Sequence, residues 1–190
     1  MGYPSFSAGD VLAASDMNAV GLWKITSSTF SAQTTVPFTD VFSSSYTNYR
    51  IVFDEWIATV SENHFLRVRD SGGIINTTNY VTQRLESTGA TVTGVTVGGG
   101  ASSTWFPTYI VQSSTAAAGV SGYVDIFQPN VSGKYTRANG KFTRTDSTTG
   151  VYTTEFAGIF NLTTVLTGFE LVRNSTATMS GTVTVYGMKP

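Results

Sequence analysis

From Leu22 onward the chain is a succession of short segments typical of β-strands, and this pattern limits the fold more than any other feature. Eight segments combine β-branched and aromatic residues with stretches of period-2 alternation. They are 22–30, 48–58, 64–70, 104–112, 122–128, 151–160, 168–173 and 181–189. Turn-forming residues separate them, and no 12-residue amphipathic helix pattern lies between any two. The sequence therefore predicts an all-β fold without βαβ units.

The alternation inside these segments indicates how the strands are arranged. Leu66 and Val68 point to one side of their strand, whereas Arg67 and Arg69 point to the other. Strands with one apolar and one polar face belong to antiparallel sheets that are solvated on one side. The prediction is an antiparallel β-sandwich of two sheets, of the jelly-roll kind, with an open barrel as the alternative.

Two glycine-containing stretches are predicted to be turns. Asn139-Gly140 lies between β-like flanks in the segment 135–144, and Asn-Gly is typical of a type I′ hairpin turn. The alternative for this segment is one long strand with a bulge at Gly140. The second stretch, "GGGASS" at 98–103, is predicted to be a loop between strands.

Composition excludes several functions. Charged residues make up 12% of the chain, while 21 serines and 31 threonines account for more than a quarter of its 190 residues. With 11 basic against 12 acidic residues there is no basic field to attract nucleic acid. The absence of cysteine excludes disulfides and thiol catalysis. The surface is expected to consist largely of hydroxyl and amide groups.

The titratable residues form no recognisable catalytic, cofactor-binding or metal-binding motif. The only histidine, His64, begins a strand, where a surface or edge position is the usual interpretation. Asp54 and Glu55 are neighbours, so in a strand they face opposite sides and form no carboxylate pair together. Glu155 or Glu170 could meet one of them in space. A carbohydrate-active hydrolase or lyase using Glu155 and Asp54 therefore remains an alternative function, and no cofactor or metal is expected.

Aromatic residues are the remaining candidates for ligand contact. An aromatic face beside hydroxyl and amide donors suits a neutral glycan, although core packing is the competing interpretation for each ring. The segment "SSTWFPTY" places three aromatics beside a Gly/Ser-rich loop, and we predict that these contact a glycan or receptor: Trp105, Phe106 and Tyr109. Further candidates elsewhere are Trp56, Tyr123 and Tyr152.

The first 21 residues differ from the rest of the chain. Ser15 can cap a helix of one or two turns, Asp16 favours its N-terminus and Gly21 can end it. A helix this short needs a surface to lie on. We predict a docking arm at 1–21 and a β-sandwich domain at 22–190, with a cap packed on the protein's own sandwich as the alternative. The predicted docking residues are Phe6, Val11, Leu12, Met17 and Val20.

The opening stretch "FSAGDVLAASDMNAVGLW" resembles the start of many structural proteins of tailed bacteriophages. The shared features are an aromatic residue, a Gly-acid-Val-Leu step, two alanines and Asp-Met-Asn, at Phe6, 9–12, 13–14 and 16–18. The segments "VFSSSYTNYRIVFD" (41–54) and "SGTVTVYGMK" (180–189) are similar to small fibre and virion-surface proteins of such phages. The resemblance implies β-sandwich modules and threefold assembly, whereas the collagen-like or coiled-coil shaft of long fibres is absent from this sequence.

These observations lead to one expected function and its alternatives. The chain is expected to be a non-enzymatic virion protein, assembled in the host cytoplasm, that docks by its arm and presents a tail-fibre or spike-type module to host surface glycan. A capsid decoration protein that stabilises the phage head is the first alternative. The expected partners are two further copies of the chain and other virion proteins, without nucleic acid. The sequence shows neither a signal peptide nor a membrane span, so no membrane insertion is expected.

Overall fold

The computed structural model describes residues 21–59, 62–88, 91–102, 105–111, 119–146, 150–173 and 177–188. Within these ranges the chain contains no helix and forms thirteen β-strands whose pairings are all antiparallel. The strands are β1 (Leu22–Gln33), β2 (Thr35–Phe38), β3 (Asn48–Ala58), β4 (Glu62–Asp70), β5 (Gly73–Ile74), β6 (Tyr80–Thr88), β7 (Thr91–Ser102), β8 (Trp105–Val111), β9 (Val120–Phe127), β10 (Thr136–Asp146), β11 (Gly150–Phe160), β12 (Gly168–Arg173) and β13 (Met179–Met188).

The strands form two sheets that confirm the predicted β-sandwich. The large sheet has the order β1-β13-β3-β9-β10-β11-β6-β7. The small sheet has the order β2-β12-β4, and both β5 and β8 pair with β4. Eight of these strands follow the jelly-roll order, with β1-β13-β3-β9 in one sheet and β2-β12-β4-β8 in the other. We call these eight strands the frame.

Two insertions into the frame extend the large sheet. The first contains β5, β6 and β7 and lies between β4 and β8, while the second contains β10 and β11 and lies between β9 and β12. Pairing of β11 with β6 joins the two insertions, so that β10, β11, β6 and β7 continue the large sheet beyond β9. Half of the large sheet therefore comes from outside the frame.

The core lies between the two sheets and is rich in aromatic rings. Phe38 and Phe169 of the small sheet stack with their ring centroids 4.6 Å apart, and Phe42 lies 5.9 Å from Phe169. On the large sheet the rings of Phe53 and Trp56 stack at 5.1 Å. The side of the large sheet away from this core, which we call the outer face, carries exposed side chains such as Gln83, Arg137 and Asn139.

A bulge interrupts β3 where a regular strand was predicted. The register with β9 shifts between Phe53 and Trp56, and Glu55 has a φ of 50°. The extra residue lets Phe53 and Trp56 both face the core, while Asp54 and Glu55 are both exposed. The prediction that these two carboxylates lie on opposite sides of a regular strand was therefore wrong.

The predicted hairpin at Asn139-Gly140 was also wrong. The segment belongs to the single strand β10, whose register with β9 and β11 continues without a shift through Gly140, so the alternative bulge is absent from this described strand as well. Gly140 does not have a positive φ. A Cβ atom there would overlap the Tyr123 carbonyl oxygen and lie 2.5 Å from Phe156 Cε1. Glycine is needed at this position for close packing and not for a turn.

Two other predictions concern the segment 98–103 and the N-terminal arm at 1–21. The predicted loop at 98–103 was wrong, because residues 98–102 continue strand β7. The predicted arm and its docking residues lie outside the described residues, which begin at Gly21.

Candidate binding face on the large sheet

The outer face of the inserted strands carries a shallow trough that runs across the strands. Its centre is Ala157 on β11, which is paired in register with Asn139 of β10 on one side and with Gln83 of β6 on the other. All three side chains are exposed. Because alanine is small, its position is a depression between two amide side chains that stand on strands about 4.8 Å away on each side. We call this depression and its walls the trough.

One wall of the trough is apolar and carries a single cation. In the row of cross-strand partners next to Ala157, Arg137 is flanked by Phe127 of β9 and Ile159 of β11, and Val81 of β6 follows. The depression lined by this wall has a volume of ≈ 500 Å³. Phe127 and Val81 are half-buried, whereas Arg137 and Ile159 are exposed. This wall offers aliphatic and aromatic carbon together with one guanidinium group.

The opposite wall combines an ion pair with an aliphatic surface. Lys141 Nζ lies 2.8 Å from Glu155 Oε1, and both side chains are exposed. Leu85 and Gly94 follow in register on β6 and β7. The depression on this side has a volume of ≈ 600 Å³. The ion pair raises the pKa of Lys141 through its hydrogen bond with Glu155.

A third depression connects the trough to β9. It has a volume of ≈ 280 Å³ and is lined in part by Tyr123 and Asn139. Arg50 of β3 donates two hydrogen bonds of 2.7 Å to Asp125, and its guanidinium carbon lies 4.5 Å from the centroid of the Tyr123 ring. The hydrogen bond to Asp125 raises the pKa of Arg50. This bidentate pair and the stacked ring form a fixed border on the frame side of the trough.

The polar side chains of the trough are available to a ligand. Among the described residues, Gln83, Asn139 and Arg137 have no side-chain hydrogen bond or ion pair within the protein. Each amide offers two N–H donors and a carbonyl acceptor. Sugar hydroxyls both donate and accept hydrogen bonds, and sugar rings present C–H faces to apolar walls. The trough therefore has the chemistry and size of a shallow glycan site.

The three aromatic residues that were predicted to contact a glycan or receptor lie on a different sheet from the trough. Trp105, Phe106 and Tyr109 lie on β8, which pairs with β4 in the small sheet and so belongs to the other sheet from the trough. Their side chains lie outside the described part of the chain. Of the further candidates, Tyr123 lines the trough and Trp56 is fully buried in the core.

The acidic residues considered for hydrolysis are not brought together. Glu155 lies on β11 and Asp54 on β3, with β9 and β10 between them in the sheet. Three strand spacings amount to about 14 Å, whereas glycosidase carboxyl pairs stand about 5 to 10 Å apart. Glu170 lies on β12 of the small sheet, where its carboxylate is 3.1 Å from Arg69. Among the described residues, no group of three or more His, Asp or Glu side chains could hold a metal ion.

The prediction of a surface or edge position for His64 was wrong, because the side chain is fully buried. It faces the core from β4, with its ring centroid 4.8 Å from that of Trp56 in an edge-on arrangement. Neither ring nitrogen has a hydrogen-bond partner in the described structure. Burial lowers the pKa of His64 to about 4.

The trough residues were missed because β10 was predicted to turn at Asn139-Gly140. Arg137, Asn139 and Lys141 alternate with Ala138, Gly140 and Phe142, which is the period-2 pattern of a strand with one buried face. If the whole segment is interpreted as one strand, the pattern predicts three polar side chains on one face. The positions of Asn139 beside Ala157 and of Ala157 beside Gln83 follow from tertiary structure alone.

Comparisons with known proteins found no match: no family model, no curated protein and no solved structure is similar to the chain. The described residues include no helix that is long and apolar enough to cross a membrane.

Proposed function

We propose that the protein is a non-enzymatic bacteriophage virion protein of the tail-fibre or spike type, which binds host surface glycan through the trough. The observation that carries the proposal is that Gln83 and Asn139 lie on either side of Ala157 and that neither amide side chain has a hydrogen-bond partner in the described structure. Both amides stand on strands inserted into the jelly-roll frame. A frame with a binding surface on added strands is the usual way in which one fold serves many functions.

The two ends of the protein have separate roles in this proposal. Residues 1–21 dock the protein to another virion component, and the β-sandwich presents the trough to the host. The resemblance of the opening stretch to phage structural proteins supports the first role. The hydroxyl-rich surface and near-zero net charge of −1 suit a protein that binds a hydroxylated ligand without attracting nucleic acid.

The first experiment replaces Ala157 by Trp, which fills the trough with a large side chain at an exposed position. Particles that carry this variant are expected to lose at least tenfold in adsorption to host cells. Val151→Trp is the matched control, because Val151 is exposed on the same strand three cross-strand rows from Ala157. Equal adsorption by both variants and the unmodified particle would contradict a role for the trough in host binding.

Labelling a tag placed after Pro190 and imaging intact particles by electron microscopy tests the location in the virion. Label at the tail or baseplate is the expected result. Label distributed over the head would contradict the proposal and favour a capsid decoration protein.

Incubation with host polysaccharide tests the non-enzymatic part of the proposal. No new reducing ends are expected, since Asp54 and Glu155 stand about three strand spacings apart. Release of reducing sugar would instead favour a carbohydrate-active enzyme.

A further inference from the structure

The charges around the trough are paired with one exception among the described residues. On the outer face Lys141 pairs with Glu155 at 2.8 Å. At the frame border, Asp125 is held by Arg50. Of the charged side chains that border the trough, Arg137 alone has no ionic partner in the described structure. The trough therefore presents one unpaired positive charge.

The surroundings of Arg137 strengthen its attraction for an anion. Its cross-strand neighbours are Phe127 and Ile159, so apolar side chains flank the guanidinium on both sides. An apolar border reduces the screening of a charge by water. The planar guanidinium can donate two parallel hydrogen bonds to a carboxylate. Asn139, two residues along β10, lies in the row of Ala157 and can bind a hydroxyl group of the same ligand.

We infer that the ligand of the trough is a glycan that bears a carboxylate, with an acidic sugar residue bound at Arg137. Its carboxylate pairs with the guanidinium, its C–H face lies on Phe127 and Ile159, and its hydroxyl groups reach Asn139 and Gln83. One carboxylate carries a single negative charge, which matches the single unpaired cation, whereas a phosphate monoester carries nearly two. This inference rests on the proposed glycan-binding function.

The experiment uses the full chain and a panel of immobilised uronic-acid oligosaccharides, each beside its carboxyl-reduced, neutral counterpart. Binding to at least one acidic member is expected, with a loss of tenfold or more when its carboxyl groups are reduced. Arg137→Met is expected to lower binding of the acidic member to the level of its neutral counterpart, because the variant has no guanidinium to pair with the carboxylate. Arg137→Lys should retain part of the difference, because it keeps the charge without the planar fork.

Lys24→Met is the matched control. Lys24 is exposed on β1, on the same outer face and four strands away from β10, and the variant removes one positive charge from the same sheet. It is expected to bind both glycans as the unmodified protein does. If Lys24→Met and Arg137→Met lose binding of the acidic glycan equally, the effect is one of net charge. That result would overturn the inference.

The remaining outcomes separate this inference from the proposed function. In one outcome the acidic and neutral members bind equally, Arg137→Met binds them as the unmodified protein does, and Ala157→Trp binds neither. That outcome would overturn the acidic ligand and retain a glycan site. Absence of binding to every member of the panel, together with normal adsorption of particles carrying Ala157→Trp, would overturn both.

Discussion

Gly140 lies on β10 where this inserted strand packs closely between the frame strand β9 and the inserted strand β11. Its Cα faces the Phe156 ring, and the carbonyl oxygen of Tyr123 on β9 occupies the space that a side chain would need. A backbone atom moves only with its strand, so this space cannot open cheaply. The glycine thus permits β10 to pass between β9 and β11 with both ladders complete.

We expect Gly140→Ala to lower the free energy of unfolding by about 1 to 3 kcal/mol, the usual cost of overpacking. Urea denaturation followed by circular dichroism measures the change. Gly94→Ala is the control, since a Cβ at Gly94 would lie 3.7 Å from Leu85 Cδ2, an ordinary contact. A Gly140→Ala protein as stable as the Gly94→Ala protein would contradict the close packing described for β10.

His64 makes the stability of the sandwich dependent on pH. Burial lowers the pKa of this imidazole from the ordinary 6.5 to about 4. Between these two values the unfolded chain binds a proton at His64 and the native protein does not. The free energy of unfolding therefore falls as the pH decreases from 6.5 to 4, by about 3 kcal/mol at about 1.4 kcal/mol per pKa unit.

Comparison of the unmodified protein with His64→Leu isolates this contribution, because the chain has one histidine. The stability difference between the two proteins, measured by urea denaturation from pH 7 to pH 4, is expected to change by about 3 kcal/mol in favour of the variant. Burial raises the pKa of Glu170, which acts in the opposite direction but equally in both proteins. Parallel pH curves would show that the imidazole is protonated without cost in the native state.

Among the elements, the frame strands were predictable and the inserted strands largely were not. All frame strands except the short β2 stood out by β-branched and aromatic residues, which in β3, β4 and β12 supply much of the core. Of the inserted strands only β11 was predicted. β6 has no continuous apolar face, because Tyr80 is followed by Thr82 and Arg84 on one side and Gln83 lies between Val81 and Leu85 on the other.

The candidate site was predictable to a smaller extent than the fold. A hydroxyl- and amide-rich binding surface followed from composition, and Tyr123 was among the candidate residues. The Asn139-Gly140 pair is a strong local signal for a turn, but tertiary packing between β9 and β11 overrides it. Ala157 has no signal at all, because its importance is the absence of bulk between two amides.

The predicted N-terminal arm is tested by deletion of residues 1–20. We expect the truncated chain to keep the far-ultraviolet spectrum of a β protein, because the frame begins at Leu22, and to be absent from assembled particles. Circular dichroism and protein gels of purified particles measure the two effects. A truncated chain that unfolds would assign the arm to the core, and one that still enters particles would remove its docking role.

At the scale of the whole molecule, both ends of the large sheet are edges without a strand partner in the described structure. β7 carries no charged residue and β1 carries only Lys24. Charges usually protect such edges from pairing with other chains. Uncharged edges are consistent with an assembly that covers them.

Because the resemblance to phage structural proteins implies threefold assembly, we expect the purified protein to be a trimer, with a mass of about three times 20.3 kDa in light scattering. Substitution of Thr93 by Lys on the exposed edge strand β7 is expected to weaken the assembly if that edge is covered. A monomer at high protein concentration would contradict the argument from uncharged edges.

The joining of two insertions in the trough has a consequence for how the protein folds. The pairing of β11 with β6 brings together residues far apart in sequence, such as Tyr80 and Phe160. Closing such long loops costs entropy before any contact compensates for it, so pairings of this kind form slowly. The binding surface therefore exists only in a chain whose two insertions have already met.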